Sequence, residues 1–213
     1  MTNRSSTDRL IDGLAASPPP PPLSARGLAL PMLISLVLTL GLFMVLIGPR
    51  ADLLGALAVP EVAAKTLLPL AVALLALALA VQSARPARAL RPGLLAVPAA
   101  AALVLFSARL MQTPSGLVVP AVLGQSALAC LLSITALSVP AIGAGLMVFR
   151  RGAPPRPGFT GAMIGIASAA GAASGYALHC TEDSPLFFVA WYGVAIVAAG
   201  LGGWVCGQRM LRW

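Results

Sequence analysis

The side chains in this sequence that could do chemistry lie around two cysteines, Cys130 and Cys180. Beside Cys180 stand the only histidine of the chain, His179, and the carboxylates of Glu182 and Asp183. A thiolate, an imidazole and carboxylates are suitable ligands for a soft or borderline metal ion. Two thiols can also form a disulfide when their Cα atoms come within about 4.4–6.8 Å. Metal binding and thiol oxidation are therefore the two chemistries that the sequence suggests.

The composition indicates which elements must position these residues. Of the 213 residues, 59% are hydrophobic and 9% charged, and the mean hydropathy is +0.93. Such values exclude a soluble enzyme domain and a disordered chain, and apolar blocks of about 20 residues can each cross a bilayer as a helix. We therefore predict an all-α integral membrane protein, a bundle of six transmembrane helices at Gly27–Ile47, Thr66–Ser83, Leu94–Leu110, Leu128–Phe149, Phe159–Leu178 and Leu186–Cys206.

The stretch Ser115–Phe149 is too long for one upright span and too short for two. We interpret it as an interfacial piece at Gly116–Leu123 followed by a span that ends at Arg150. Pro140 should kink that span, which membrane helices tolerate when neighbours satisfy the freed carbonyl.

Basic residues predict the orientation. With the N-terminus inside, the cytoplasmic segments hold 11 of the 14 basic residues, and only Arg50, Lys65 and Arg109 fall outside. By the positive-inside rule both termini are then cytoplasmic. The basic residues are explained by topology, so no direct contact with nucleic acid is expected, and membrane lipids surround the bundle.

This topology places Cys130 and Cys180 at the same outer level, on adjacent antiparallel spans. An oxidising periplasm would let a disulfide persist there, although two of three cysteines could share a level by chance. The segment His179–Pro185 could also be a polar turn in which Asp183 or Ser184 caps the next helix. Cys206, near the inner end of the last span, is expected to serve packing.

Nothing in the sequence indicates a catalytic centre. One histidine excludes a paired-histidine haem, and neither a CxxC pair nor a phosphate-binding glycine loop is present. We predict that the protein is not an enzyme and needs no cofactor, apart from a transient metal ion at the outer cysteines. Small residues spaced four apart, such as Gly161/Gly165 and Gly171/Gly175, indicate close helix packing, with a glycine-lined substrate path as the alternative.

The N-terminal segment, residues 1–26, is a unit distinct from the membrane domain, residues 27–213. Within it, Thr7–Ala16 reads as an amphipathic helix with Thr7 as its N-cap and an apolar stripe of Leu10, Ile11 and Leu14. A helix this short is marginal alone and should fold on a partner groove or on the membrane surface, unless the segment is a nonspecific tail. A membrane-surface helix usually carries more Lys and Arg than this one does. The run Pro18–Pro22 would act as a semi-rigid spacer.

Taken together, the chain resembles the NrsF-type anti-sigma factors, six-span inner-membrane proteins that hold extracytoplasmic-function sigma factors inactive. The resemblance covers nearly the whole chain, including a short likeness at Leu10–Leu14. The residues that carry it are Cys130, Arg150–Pro157, His179–Pro185, Phe187, Trp191, Tyr192, Arg212 and Trp213.

The resemblance implies that the N-terminal segment contacts the sigma factor and that Cys130 and Cys180 sense a metal or redox stress. Two other classes of protein remain as alternatives. A small-molecule transporter or efflux component would need a polar path through the membrane. A thiol oxidoreductase would need a quinone partner and a second periplasmic thiol pair.

Overall fold

The computed structural model describes residues 5–16, 24–84, 91–152 and 154–212, and in these ranges every regular element is a helix. The predicted spacer at Pro18–Pro22 lies outside the described residues, as does Trp213. The helices are α1 (Ser6–Ala16), α2 (Ala25–Leu46), α3 (Leu53–Leu57), α4 (Pro60–Ser83), α5 (Ala96–Gln112), α6 (Ser115–Leu123), α7 (Ala127–Phe149), α8 (Pro157–Tyr176) and α9 (Pro185–Met210). Short 3-10 turns at Pro92–Leu95 and Arg150–Gly152 precede α5 and follow α7.

Five helical runs in the described ranges are long and apolar enough to cross a membrane. They are α2, α4, α5 with its preceding turn, the run from α6 through α7, and α9. The sixth predicted span is present as helix α8, which is rich in glycine, alanine and serine and is not among these five. The all-helical class is confirmed, and six crossings with both ends inside stay a prediction.

Local sequence explains where the helices begin and break. Ser24 caps α2 by accepting a hydrogen bond from the amide of Gly27 at 2.9 Å, and proline opens α4, α8 and α9, as is favourable at the first helical position. Gly124, at φ +54°, separates α6 from α7. The 115–149 stretch therefore forms a short helix and a long one, as the sequence predicts.

The bundle is built around α8, whose residues are almost all buried. It packs most closely against α9, where Gly161 lies against the backbone of Gly203 and Gly207 with no room for a side chain. On another face, Gly171 and Gly175 admit the side chains of Leu36 and Leu40 from α2. These contacts confirm the interpretation of the glycine spacings as helix packing.

The start of α4 differs from the prediction in a way that matters. The predicted span begins at Thr66, but the helix begins at Pro60, so Lys65 lies within the helix and not in an outer loop. Its side chain is fully buried. The prediction failed because Pro60 and Glu61 look like loop residues, whereas both are favourable in the first turn of a helix.

Candidate functional site

The two predicted thiols lie in one buried cluster. Cys130 on α7 and Cys180 after α8 are 0% and 4% exposed, both are free, and the ring of Tyr192 packs with them. Both side chains belong to the same hydrophobic cluster. Cys206 instead lies exposed on α9 and not in a packed interior, which corrects the packing role expected for it.

The end of α8 positions Cys180. The amides of His179 and Cys180 both donate to the carbonyl of Tyr176, at 2.9 and 3.0 Å, which closes the helix with a tight turn. The ring of Tyr176 packs against Phe43 from α2, with ring centroids 5.8 Å apart. Cys180 is therefore held at a fixed point where α2, α7 and α8 meet.

Lys65 places a positive charge beside the backbone of Cys180. Its ammonium donates to the backbone carbonyl of Cys180 at 2.6 Å and lies 3.2 Å from Oδ1 of Asp183. Lysine is almost never fully buried unless it is paired. The paired ammonium was missed by sequence reasoning because its residue was assigned to a loop.

Arg50 completes an ionic network at the same end of the bundle. Its guanidinium donates to both oxygens of Asp183, at 2.8 and 2.9 Å, and to both oxygens of Asp52, at 2.8 and 3.0 Å. The hydrogen bond to Asp52 raises the pKa of Arg50 most, and the one to Asp183 raises it next. In turn, the hydrogen bond from Arg50 lowers the pKa of Asp52. Asp183 thus links two cations and does not cap α9, and Ser184, at the N-cap position, makes no capping hydrogen bond.

The other two predicted ligands are engaged elsewhere. The Nδ1 atom of His179 is hydrogen-bonded to the carbonyl of Gly48 at 2.8 Å, after the end of α2. Glu182 accepts a hydrogen bond from the amide of Gln125 at 2.9 Å, at the joint before α7. The segment that holds Cys180 is therefore tied both to α2 and to the start of the helix that carries Cys130.

These partners bear on the metal prediction. In the described part of the chain no three histidine, cysteine, aspartate or glutamate side chains converge as a ligand set would. His179, Glu182 and Asp183 each have a different hydrogen-bond partner, namely Gly48, Gln125 and Arg50. Metal binding by these residues and the two thiols stays a prediction.

Two aromatic residues, Phe187 and Trp191 on α9, hold the joint between α6 and α7. The indole Nε1 of Trp191 donates to the carbonyl of Val122 at 2.8 Å. The ring of Phe187 lies where a side chain on Gly124 would stand. The joint between α6 and α7 is thus held by α9 and by Glu182.

The predicted N-terminal helix is present as α1, but its cap is Ser5 and not Thr7. The Ser5 hydroxyl and the Asp8 carboxylate exchange hydrogen bonds with each other's amides, at 3.2 and 3.0 Å, as in a capping box. The side chains of Leu10, Ile11 and Leu14 are 62%, 57% and 67% exposed, and α1 has no buried residue. The apolar stripe is formed but uncovered.

Fold and site together define an all-helical protein with several membrane-length apolar helices and a buried thiol cluster. Within that class, the chain belongs to the NrsF family, described as negative regulator of sigma F, whose model matches residues 14–213. A family of sigma-factor regulators is not a family of enzymes. Most of α1, before residue 14, lies outside the match.

Two curated relatives carry related names. The Anti-sigma-F factor NrsF of Caulobacter vibrioides (strain NA1000 / CB15N) is 40% identical over 91 residues, which are 42% of this chain and 42% of the relative. The Probable anti-sigma-F factor NrsF of Azospira oryzae (strain ATCC BAA-33 / DSM 13638 / PS) is 37% identical over 90 residues, again 42% of both. The aligned region thus spans less than half the length of each relative. No protein of known structure matches the chain.

Proposed function

We propose that this protein is a membrane-bound anti-sigma factor that sequesters an extracytoplasmic-function sigma factor of the sigma-F type and releases it on a periplasmic stress signal. The observation that carries the proposal is the family match over residues 14–213, and the names of the two relatives agree with it. The protein lies in the bacterial inner membrane with six spans, α8 being the additional one, and with both ends in the cytoplasm.

The sigma factor binds at α1. Three large apolar side chains, Leu10, Ile11 and Leu14, are exposed on one side of this helix, and exposed apolar faces of amphipathic helices commonly dock into grooves on a partner. A nonspecific tail has no need of the capping pair between Ser5 and Asp8 that starts the helix.

The signal is received by Cys130 and Cys180. With hydrogen peroxide as oxidant, the two thiols form a disulfide, losing two protons and two electrons as the peroxide becomes two molecules of water. A soft metal ion bound by the two thiolates is the other signal that this chemistry allows, with loss of the two thiol protons. Either event changes the packing where α2, α7 and α8 meet.

The first experiment is a pull-down of the full-length protein from detergent-solubilised membranes of its own cells, compared with a chain lacking residues 1–26. We expect the full-length chain alone to recover a sigma factor from unstressed cells. A correctly inserted full-length chain that recovers none contradicts the proposed function and favours the transporter class.

The second experiment tests the signal. Cells that carry Cys130→Ser and Cys180→Ser together should insert the protein normally but no longer release the sigma factor on peroxide or metal stress. Cys206→Ser is the matched control, because Cys206 is exposed and does not belong to the buried cluster of Cys130 and Cys180. An unchanged dose response in the double variant contradicts sensing by the thiols.

A further inference from the structure

Lys65 is a fully buried ammonium in the first turns of a membrane-length helix, and neither sigma-factor binding nor thiol chemistry accounts for it. Removing such a charge from water is costly unless the protein returns the lost hydrogen bonds. The protein returns them through two groups of one short segment, the carbonyl of Cys180 and the carboxylate of Asp183.

The position of these two contacts is informative. An ammonium has three donors, and one of them reaches the peptide carbonyl of the thiol-bearing residue itself. The amide of Cys180 is bonded to Tyr176 at the end of α8, and its carbonyl is bonded to Lys65 on α4. The backbone of Cys180 is therefore fixed from both sides, and Asp183 anchors the far end of the same segment.

We propose that Lys65 is a positioning residue, which holds the backbone of Cys180 so that its thiol stays beside that of Cys130. The inference rests on the proposed role of this thiol pair as the sensor. Arg50 assists by donating to both oxygens of Asp183, which holds that carboxylate next to Lys65. Removing the ammonium frees the carbonyl of Cys180 and lets the thiol move from its partner.

A displacement of this kind has a measurable effect. Reactions between two held groups depend steeply on their placement, and a shift of about 1 Å can cost roughly 100-fold in rate. We expect Lys65→Met to slow disulfide formation between Cys130 and Cys180 by at least about tenfold. Methionine is an unbranched, uncharged side chain one atom shorter than lysine, and Asp183 keeps its bonds to Arg50.

The experiment uses the full-length protein with Cys206→Ser, purified in detergent and treated with hydrogen peroxide. The rate of disulfide formation is followed by mass spectrometry, and its equilibrium is measured in glutathione buffers. Ser174→Ala is the matched control: the Ser174 hydroxyl donates to the carbonyl of Thr66 at 3.0 Å across the same α4–α8 interface, without touching Cys180. The control should form the disulfide at the unmodified rate.

Two further variants separate positioning from simple loss of stability. Asp183→Asn leaves Lys65 buried without its carboxylate and should lower the unfolding temperature most, whereas Lys65→Met with Asp183→Asn removes both charges and should recover part of it. The rate of disulfide formation should follow a different order. It should be slow in Lys65→Met and in the double variant, both of which lack the ammonium. Restoring stability without restoring the rate is the result that a purely structural role would not give.

The outcomes are distinct. A rate for Lys65→Met within about twofold of the parent, with the control also unchanged, overturns the positioning role and leaves the sensor proposal standing. No disulfide in the parent protein overturns both the positioning role and sensing by thiol oxidation, and leaves metal binding as the signal. A slow rate in Lys65→Met, in a protein that captures no sigma factor, supports the positioning role and contradicts the proposed function.

Discussion

The cluster around Cys180 buries charged side chains, whereas helix α1 exposes apolar ones. Near Cys180 the protein buries an ammonium and most of a guanidinium, and satisfies both from within its own chain, with side-chain exposures of 0% for Lys65 and 6% for Arg50. On α1 it leaves three large apolar side chains more than half exposed. Burying a charge and exposing apolar side chains to water are each unfavourable in isolation. The buried charges are compensated inside the chain, whereas the exposed apolar side chains are not.

A buried and paired cluster changes only when something alters the groups inside it. An exposed apolar stripe lowers its free energy by acquiring a partner from outside. The cluster around Cys180 therefore has the properties of a sensor, and helix α1 has those of a docking element. This contrast predicts that substitutions near Cys180 act on stability and thiol behaviour, whereas substitutions on α1 act on binding alone.

The largest effect should come from Asp183→Asn. The change leaves Lys65 and Arg50 without the carboxylate that they share, and breaking a buried ion pair from one side commonly costs several kcal/mol. Because Asp183 is itself about a third exposed, we expect a loss of about 3 kcal/mol in the free energy of unfolding. Thermal unfolding in detergent measures it.

The matched control is Glu182→Gln, one residue away, which keeps an oxygen for the amide of Gln125 and touches neither cation. If the two variants unfold at the same temperature, the network around Asp183 does not stabilise this end of the bundle.

The second effect concerns α1. Leu10→Asp or Leu14→Asp should weaken capture of the sigma factor by about 2 kcal/mol, or roughly 30-fold, since apolar anchors dominate helix-in-groove binding. The unfolding temperature of the membrane domain should not change. Binding of the purified sigma factor to the full-length protein measures the first, and thermal unfolding the second.

Ala16→Asp is the matched control, because it adds the same charge to the same helix away from the apolar stripe. Equal weakening by all three variants would mean that charge, and not the stripe, governs binding. No weakening by any of them would remove α1 from the interface.

Sequence reasoning could predict the features that depend on pattern. The apolar blocks indicate the long helices, and the topology drawn from them puts Cys130 and Cys180 on neighbouring helices, where both lie in one buried cluster. The glycine spacings in α8 predict the close approach to α9. These features are encoded by residues near one another in sequence or by a regular period.

The rest depends on contacts between distant residues. Lys65 and Asp183 are 118 residues apart, and hydropathy gives no reason to bury the first or to pair it with the second. The acids of His179–Pro185 are predicted as metal ligands, and this stays a prediction, but their partners Arg50 and Gln125 could not be identified from sequence. The error at α1 is local: Ser5 and Thr7 are both good caps, and Asp8, three residues after Ser5, decides between them.

A smaller effect should come from Glu182→Ala, which tests whether Glu182 links the segment of Cys180 to the start of the helix that carries Cys130. The change removes the acceptor of the Gln125 amide at the joint before α7. Because water can reach that exposed amide, we expect a loss of about 1 kcal/mol or less. Hydrogen exchange of Gln125 should speed up in Glu182→Ala and stay slow in Glu182→Gln. Equal exchange in both would show that the joint is held by Trp191 and Phe187 instead.

The smallest effect concerns pH and separates the two carboxylates of Arg50. The hydrogen bond from Arg50 lowers the pKa of Asp52 in the folded protein, below the ordinary value of about 3.9 that applies after unfolding. Asp52 therefore contributes stability above that ordinary value and loses it as the pH falls through the lowered one. Its exposed position keeps the contribution small. Unfolding temperatures between about pH 5 and pH 2 should fall less steeply in Asp52→Asn than in the parent protein. Equal slopes would mean that Arg50 is held by Asp183 alone, so that the ionic network belongs entirely to the segment that positions Cys180.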